Sequence, residues 1–149
     1  MRPFILVIAL VSGCAGRPAS VVLREGAWTV DDLVRSHPIE AGANIRADEL
    51  ARTAASSIHL VQVRGGETPH RHMTHDLTIT VLRGEGRLML DGTSRRLAAG
   101  DVVVIPRGVP HSVVRSGGDL YVTLAEFAPP LDAPDTVPVA DVDTMQVPR

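Results

Sequence analysis

Three of the six histidines in this 149-residue chain are spaced for metal chemistry. His70 and His72 stand two apart in GETPHRHMTHD, and His111 follows in GDVVVIPRGVPHSVVR. Residues two apart in an extended chain point to the same face of a sheet, so both imidazoles can aim at one point. A third imidazole from a neighbouring strand would complete a facial set of nitrogen donors for a divalent transition metal. Iron, manganese, nickel and zinc all accept imidazole, so the donors leave the metal open. Asp76 and His75, in the same segment, are the candidates for a fourth ligand.

Bringing these rings together requires a sheet that folds over itself, and the surrounding residues read that way. Apolar alternation predicts strands over 58–64, 77–82, 87–90, 94–97, 102–105, 111–115 and 120–127. Turns are expected at Gly84-Glu85-Gly86, Asp91-Gly92, Ala99-Gly100-Asp101 and Gly117-Gly118. Leu77, Ile79 and Val81 share one face of their strand, leaving Asp76, Thr78 and Thr80 on the other. Val102–Ile105 is apolar on both faces, as in a strand buried between two sheets. His59 is read as a packing residue of its strand, with a cavity-facing position as the alternative. Many short strands and turns within one domain's length fit an all-β jelly roll.

The segment from Gly65 to Arg115 resembles the two motifs of the cupin superfamily. In the first, a glycine is followed by His-x-His, a glutamate and a closing glycine; His70, His72 and Gly84 match, with Gly65 or Gly66 leading. In the second, Gly100, Pro106, Gly108 and His111 fall at the family's spacing, and Arg115 stands where asparagine is usual. The resemblance implies a cupin-type double-stranded β-helix, an antiparallel jelly-roll barrel with a metal in its mouth. The chain departs from the pattern at the glutamate ligand, whose place falls on Leu77 when counted back from Gly84. Three neutral imidazoles would leave the divalent charge uncompensated, which favours an anionic substrate or hydroxide in the open positions. Arg115 shares the parity of His111, so at the mouth it could clamp a substrate carboxylate; the alternative is a strand-end arginine in solvent. Some cupin dioxygenases similarly rely on histidines, and isomerases share the fold.

The N-terminus, MRPFILVIALVSGC, combines Arg2, an apolar run and small residues before Cys14, the pattern of a secretory signal over residues 1–13. Val11-Ser12-Gly13-Cys14 resembles a bacterial lipobox, which implies cleavage before Cys14 and its lipidation. Ala15 follows, where aspartate would signal inner-membrane retention. The implied location is the periplasmic face of the outer membrane, or the cell surface in an organism without one. Residues 14–20 would be the tether, and with one cysteine no internal disulfide can form.

The rest divides into an N-terminal extension, 21–57, the barrel, 58–128, and a Pro- and Asp-rich cover, 129–149. Thr29 and Asp32 form a capping-box signature for a short helix ended by His37-Pro38. Residues 44–57 read as a turn or helix leading into the barrel. Prolines exclude helix and central strand from the cover, which reads as solvated. Fifteen arginines face seventeen acidic residues, and there is no lysine, which removes Schiff-base chemistry. No basic run or aromatic platform suggests nucleic acid. The family resemblance allows a homodimer. Two functions follow: a metalloenzyme acting on a small oxygen-bearing molecule, in the manner of a dioxygenase or isomerase, or a non-catalytic lipoprotein that binds a metal or small ligand. The barrel mouth offers no acid or base in this reading.

Overall fold

The computed structural model describes residues 20–139. Cys14, the signal segment and most of the expected tether lie outside the described residues. Twelve strands and one helix follow in order, beginning with an N-terminal hairpin, β1 (Ser20–Leu23) and β2 (Gly26–Thr29), and α1 (Val30–Ser36). The barrel strands are β3 (Ile45–Arg52), β4 (Ser57–Val63), β5 (His70–His72), β6 (Asp76–Arg83), β7 (Glu85–Leu90) and β8 (Thr93–Ala98). They continue with β9 (Val102–Ile105), β10 (His111–Arg115), β11 (Tyr121–Ala128) and β12 (Thr136–Pro138). Two five-stranded antiparallel sheets, ordered β12-β5-β10-β7-β8 and β3-β4-β11-β6-β9, make the jelly roll.

Alternation along the strands divides the apolar residues between two layers. Leu88, Leu97 and Val113 of one sheet meet Val63, Val81 and Phe127 of the other in the interior. The opposite face of β4 and β11 supplies Leu60 and Val122, both fully buried against Val21, Val30 and Leu33 of the hairpin and helix. Thr29 caps α1 as expected: its hydroxyl accepts from the Asp32 amide, and the Asp32 carboxylate accepts from the Thr29 amide. The Asp91-Gly92 turn has positive φ at both residues, the combination that suits the twist of a hairpin. Gly84 is required twice over: its φ is +77°, and a Cβ there would lie 2.7 Å from the Leu120 carbonyl oxygen.

Three readings of the sequence change. Residues 45–52 form an edge strand of the barrel sheet, so the barrel begins before residue 58. The local mixture of Ala, Glu, Leu and Arg favours helix, but pairing with β4 along its length prevails over that weak preference. β9 lies at a sheet edge rather than between sheets, and Val102 and Val104 are more than half exposed. Its run of apolar residues reflects strand preference as much as burial. Within the cover, residues 136–138 form an edge strand on β5, a position that tolerates proline because one side of the strand goes unpaired.

Candidate metal centre

β5 is only three residues long, yet it is held on both sides. His70 pairs with His111 of β10, and His72 pairs with Thr136 of β12. Alternation sends His70 and His72 to one face, and register brings His111 beside them. The rings cluster with centroids 5.1 Å (His70–His72), 4.4 Å (His70–His111) and 5.4 Å (His72–His111) apart. One nitrogen from each lies within 4.8 Å of the others.

The outward nitrogens show which atoms face the centre. His70 Nδ1 is 2.9 Å from the Thr68 carbonyl oxygen, and His111 Nδ1 is 3.0 Å from that of Val109. A carbonyl only accepts, so Nδ1 carries the proton in both rings and Nε2 keeps its lone pair. His72 Nδ1 is 2.7 Å from Asp135 Oδ1, which selects the same tautomer. Metal-bound histidines usually donate their second ring N–H to a carbonyl or carboxylate in this way. The donor set therefore fits a divalent transition ion: three neutral imidazoles, each oriented by an acceptor behind it. Burial holds His72 below the ordinary imidazole range and His111 at about 4, which keeps those two rings neutral.

Neither candidate for a fourth ligand joins them. Asp76 points away from the cavity and binds Arg107, with Oδ2 2.7 Å from Nη2 and Oδ1 3.0 Å from the Arg107 amide. Those bonds hold its carboxyl at about 2. His75 is buried, but both its nitrogens are engaged, Nδ1 at 2.5 Å from Asp135 Oδ2 and Nε2 at 3.3 Å from the Pro130 carbonyl oxygen. Leu77, in the family's glutamate position, is buried against the cavity. Arg115 does not reach the site either. Its guanidinium donates to the Arg64 carbonyl at 2.6 Å and to the carbonyls of Gly117 and Gly118, which the turn there brings within 2.9 Å.

The trio opens into a cavity of about 530 Å³. Apolar side chains such as Val61, Ile79, Leu88 and Val113 line most of it, and among the described residues no arginine does. In these walls only a bound ion could supply the charge that the expected anionic substrate requires. His59 is both buried and on the wall: its ring packs edge-on against Phe127 at 5.2 Å and its Nε2 is 2.9 Å from Ser57 Oγ.

Two functional groups escaped the sequence reading. Glu67 lines the cavity, and its Oε2 accepts from the Val113 amide at 3.0 Å. Burial raises its pKa, while the bond from the Val113 amide and the nearness of His70 pull the other way. An ionisable group therefore stands in the mouth after all. Parity along the chain would put residue 67 opposite residue 70, but the irregular stretch between them breaks the alternation. The second group is Asp135, distant in sequence from the histidines it touches. Tyr121 also lines the cavity, its hydroxyl pushed up to about 12 by burial and by the charges of Glu67 and Asp101.

A family model for the cupin domain matches residues 57–125, the span that holds all three histidines. The chain belongs to the cupins. An uncharacterized protein of Aquifex aeolicus is 42% identical over 95 residues, 64% of this chain and 78% of that one. The structure of KdgF from Halomonas sp. is 30% identical, with a TM-score of 0.59 over 66% of this chain and 91% of its own. The polyketide cyclase RemF from Streptomyces resistomycificus shares the fold at 22% identity, TM-score 0.57, over 67% of this chain and 74% of its own. Proteins of this fold thus include an enzyme, and in this chain three histidines are positioned to hold a metal ion.

Proposed function

We propose that this protein is an exported, lipid-anchored cupin that holds one divalent transition metal on His70, His72 and His111 and acts on a small molecule in the cavity. The observation that carries the reading is the convergence of three imidazoles whose Nδ1 atoms all face acceptors. A bound divalent ion would supply Lewis-acid polarisation of an oxygen on the ligand. The walls select a compact and largely neutral molecule, with apolar surface against Val61, Ile79 and Leu88 and an oxygen turned to the histidines. Glu67, half-buried in the same cavity as the trio, is placed to accept or return a proton there. Iron, manganese, nickel and zinc all remain compatible with these donors.

The metal content of the purified protein tests the site. Wild type should carry about one divalent ion per chain, and the pair His72→Ala with His111→Ala almost none. Equal content in both proteins removes the reading. The anchor rests on the lipobox around Cys14 and is tested separately, since Cys14→Ser should move the protein from the membrane to the soluble fraction.

The lack of a carboxylate at Leu77 favours a second reading, a non-catalytic lipoprotein that binds a metal or small ligand. The two readings part at Glu67. Glu67→Gln should abolish turnover while leaving metal content intact if the protein is an enzyme, and ligand retention without turnover by wild type would favour the binding protein.

A further inference from the structure

The three histidines are not oriented by equivalent means. His70 and His111 each use the carbonyl two residues before them, so the local chain sets their rings. His72 has no such local partner. The acceptor behind it is Asp135, 63 residues further along and outside the span of the cupin domain match.

We propose that Asp135, carried by the C-terminal segment, is the positioning residue for His72 and makes that segment part of the metal site. The inference rests on the reading of the trio as metal ligands. The carboxylate side chain is only 12% exposed and takes four contacts. Oδ1 lies 2.7 Å from His72 Nδ1, and Oδ2 lies 2.5 Å from His75 Nδ1, 2.9 Å from Thr74 Oγ1 and 3.2 Å from the Thr74 amide. An ionised carboxylate is a stronger acceptor than a carbonyl, so it fixes the His72 tautomer and raises the basicity of Nε2.

The segment is tied down on both sides of this contact. Before it, Arg52 donates to the Leu131 carbonyl and the Asp132 carboxylate, both at 2.7 Å. After it, β12 pairs with β5, the strand that carries His72. Docking of the segment and metal binding at His72 therefore favour each other, because one carboxylate serves both.

The test uses the full chain with Asp135→Asn, which keeps the shape and removes the charge, and with Asp132→Asn, which loosens the segment without touching His72. Long-range proton–nitrogen NMR of the metal-free protein reads the His72 tautomer, and chelator competition reads Co(II) affinity. Wild type should show His72 protonated on Nδ1. Asp135→Asn should populate the Nε2-protonated form and weaken Co(II) binding by about ten- to a hundredfold. Asp132→Asn, which reaches the site only by loosening the segment, should lose less affinity than Asp135→Asn and keep the Nδ1-protonated tautomer. An Nε2-protonated His72 in wild type overturns the proposal, and that measurement needs no variant to fold. So does an unchanged tautomer and affinity in Asp135→Asn, or an equal loss in Asp132→Asn. If wild type takes up no Co(II) but Asp135→Asn still shifts the tautomer, the positioning stands and only the metal reading falls.

Discussion

Strands β4 and β11 separate two different interiors. Their outward residues, including Leu60 and Val122, are fully buried beneath the helix and hairpin, and that layer is filled. Their inward residues, among them Val61, Thr123 and Phe127, face a cavity of about 530 Å³ shared with the histidines. The same two strands thus pack densely on one side and leave room on the other. Space for a ligand means forgone side-chain contacts, and the filled layer offsets that loss. A neutral histidine cluster also carries a desolvation cost that apolar residues would not. The hairpin and helix, which do not line the cavity, thus bury the outer face of the strands whose inner face does.

The strongest way to break this contrast is to empty the filled side. Leu60→Ala should cost roughly 2–5 kcal/mol in urea denaturation, towards the upper end, because Leu60 is fully enclosed. Metal content should not change, and a loss of metal together with stability would show that the two interiors are not separate.

Acid attacks the hollow side. His111 titrates at about 4 in the fold against an ordinary value of about 6.5. The unfolded chain binds the proton first, so stability is complete above about 6.5 and is lost as pH falls towards 4. The lowered pKa of His72 acts in the same direction. For His111 the loss is on the order of 3 kcal/mol at most, measured on metal-free protein. His111→Ala should flatten the profile between those pH values, and an unchanged slope would assign the effect elsewhere.

Ile79→Ala sharpens the comparison, since Ile79 already borders open space. It should cost less than Leu60→Ala, about 2 kcal/mol or below, because little new cavity is made. The smallest effect is expected at the edge of the filled layer. Thr29→Ala removes the helix cap and should cost about 1 kcal/mol, with no change in metal content. If Ile79→Ala proves as costly as Leu60→Ala, the distinction between the two interiors is lost.

Much of this was legible in the sequence wherever the determining interactions are short in range. Strand alternation gave β4, β6–β8, β10 and β11 nearly to the residue, and Thr29 with Asp32 announced α1 through a bond three residues long. Spacing and parity placed His70 and His72 together, and also turned Asp76 away from them. The family motif supplied His111, whose approach depends on pairing across β5 and β10.

What remained depended on partners remote along the chain, and only the tertiary structure could choose them. Residues 45–52 become a strand because β4 offers its edge. Arg115 turns to nearby carbonyls rather than the cavity, and Glu67 enters the cavity because an irregular stretch resets its direction. Asp135 reaches His72 because β12 docks beside β5, a pairing that nothing local in either segment specifies. Local periodicity encodes which way a side chain faces, but not what it will meet there. That is fixed only when the folded chain brings distant segments within hydrogen-bonding distance.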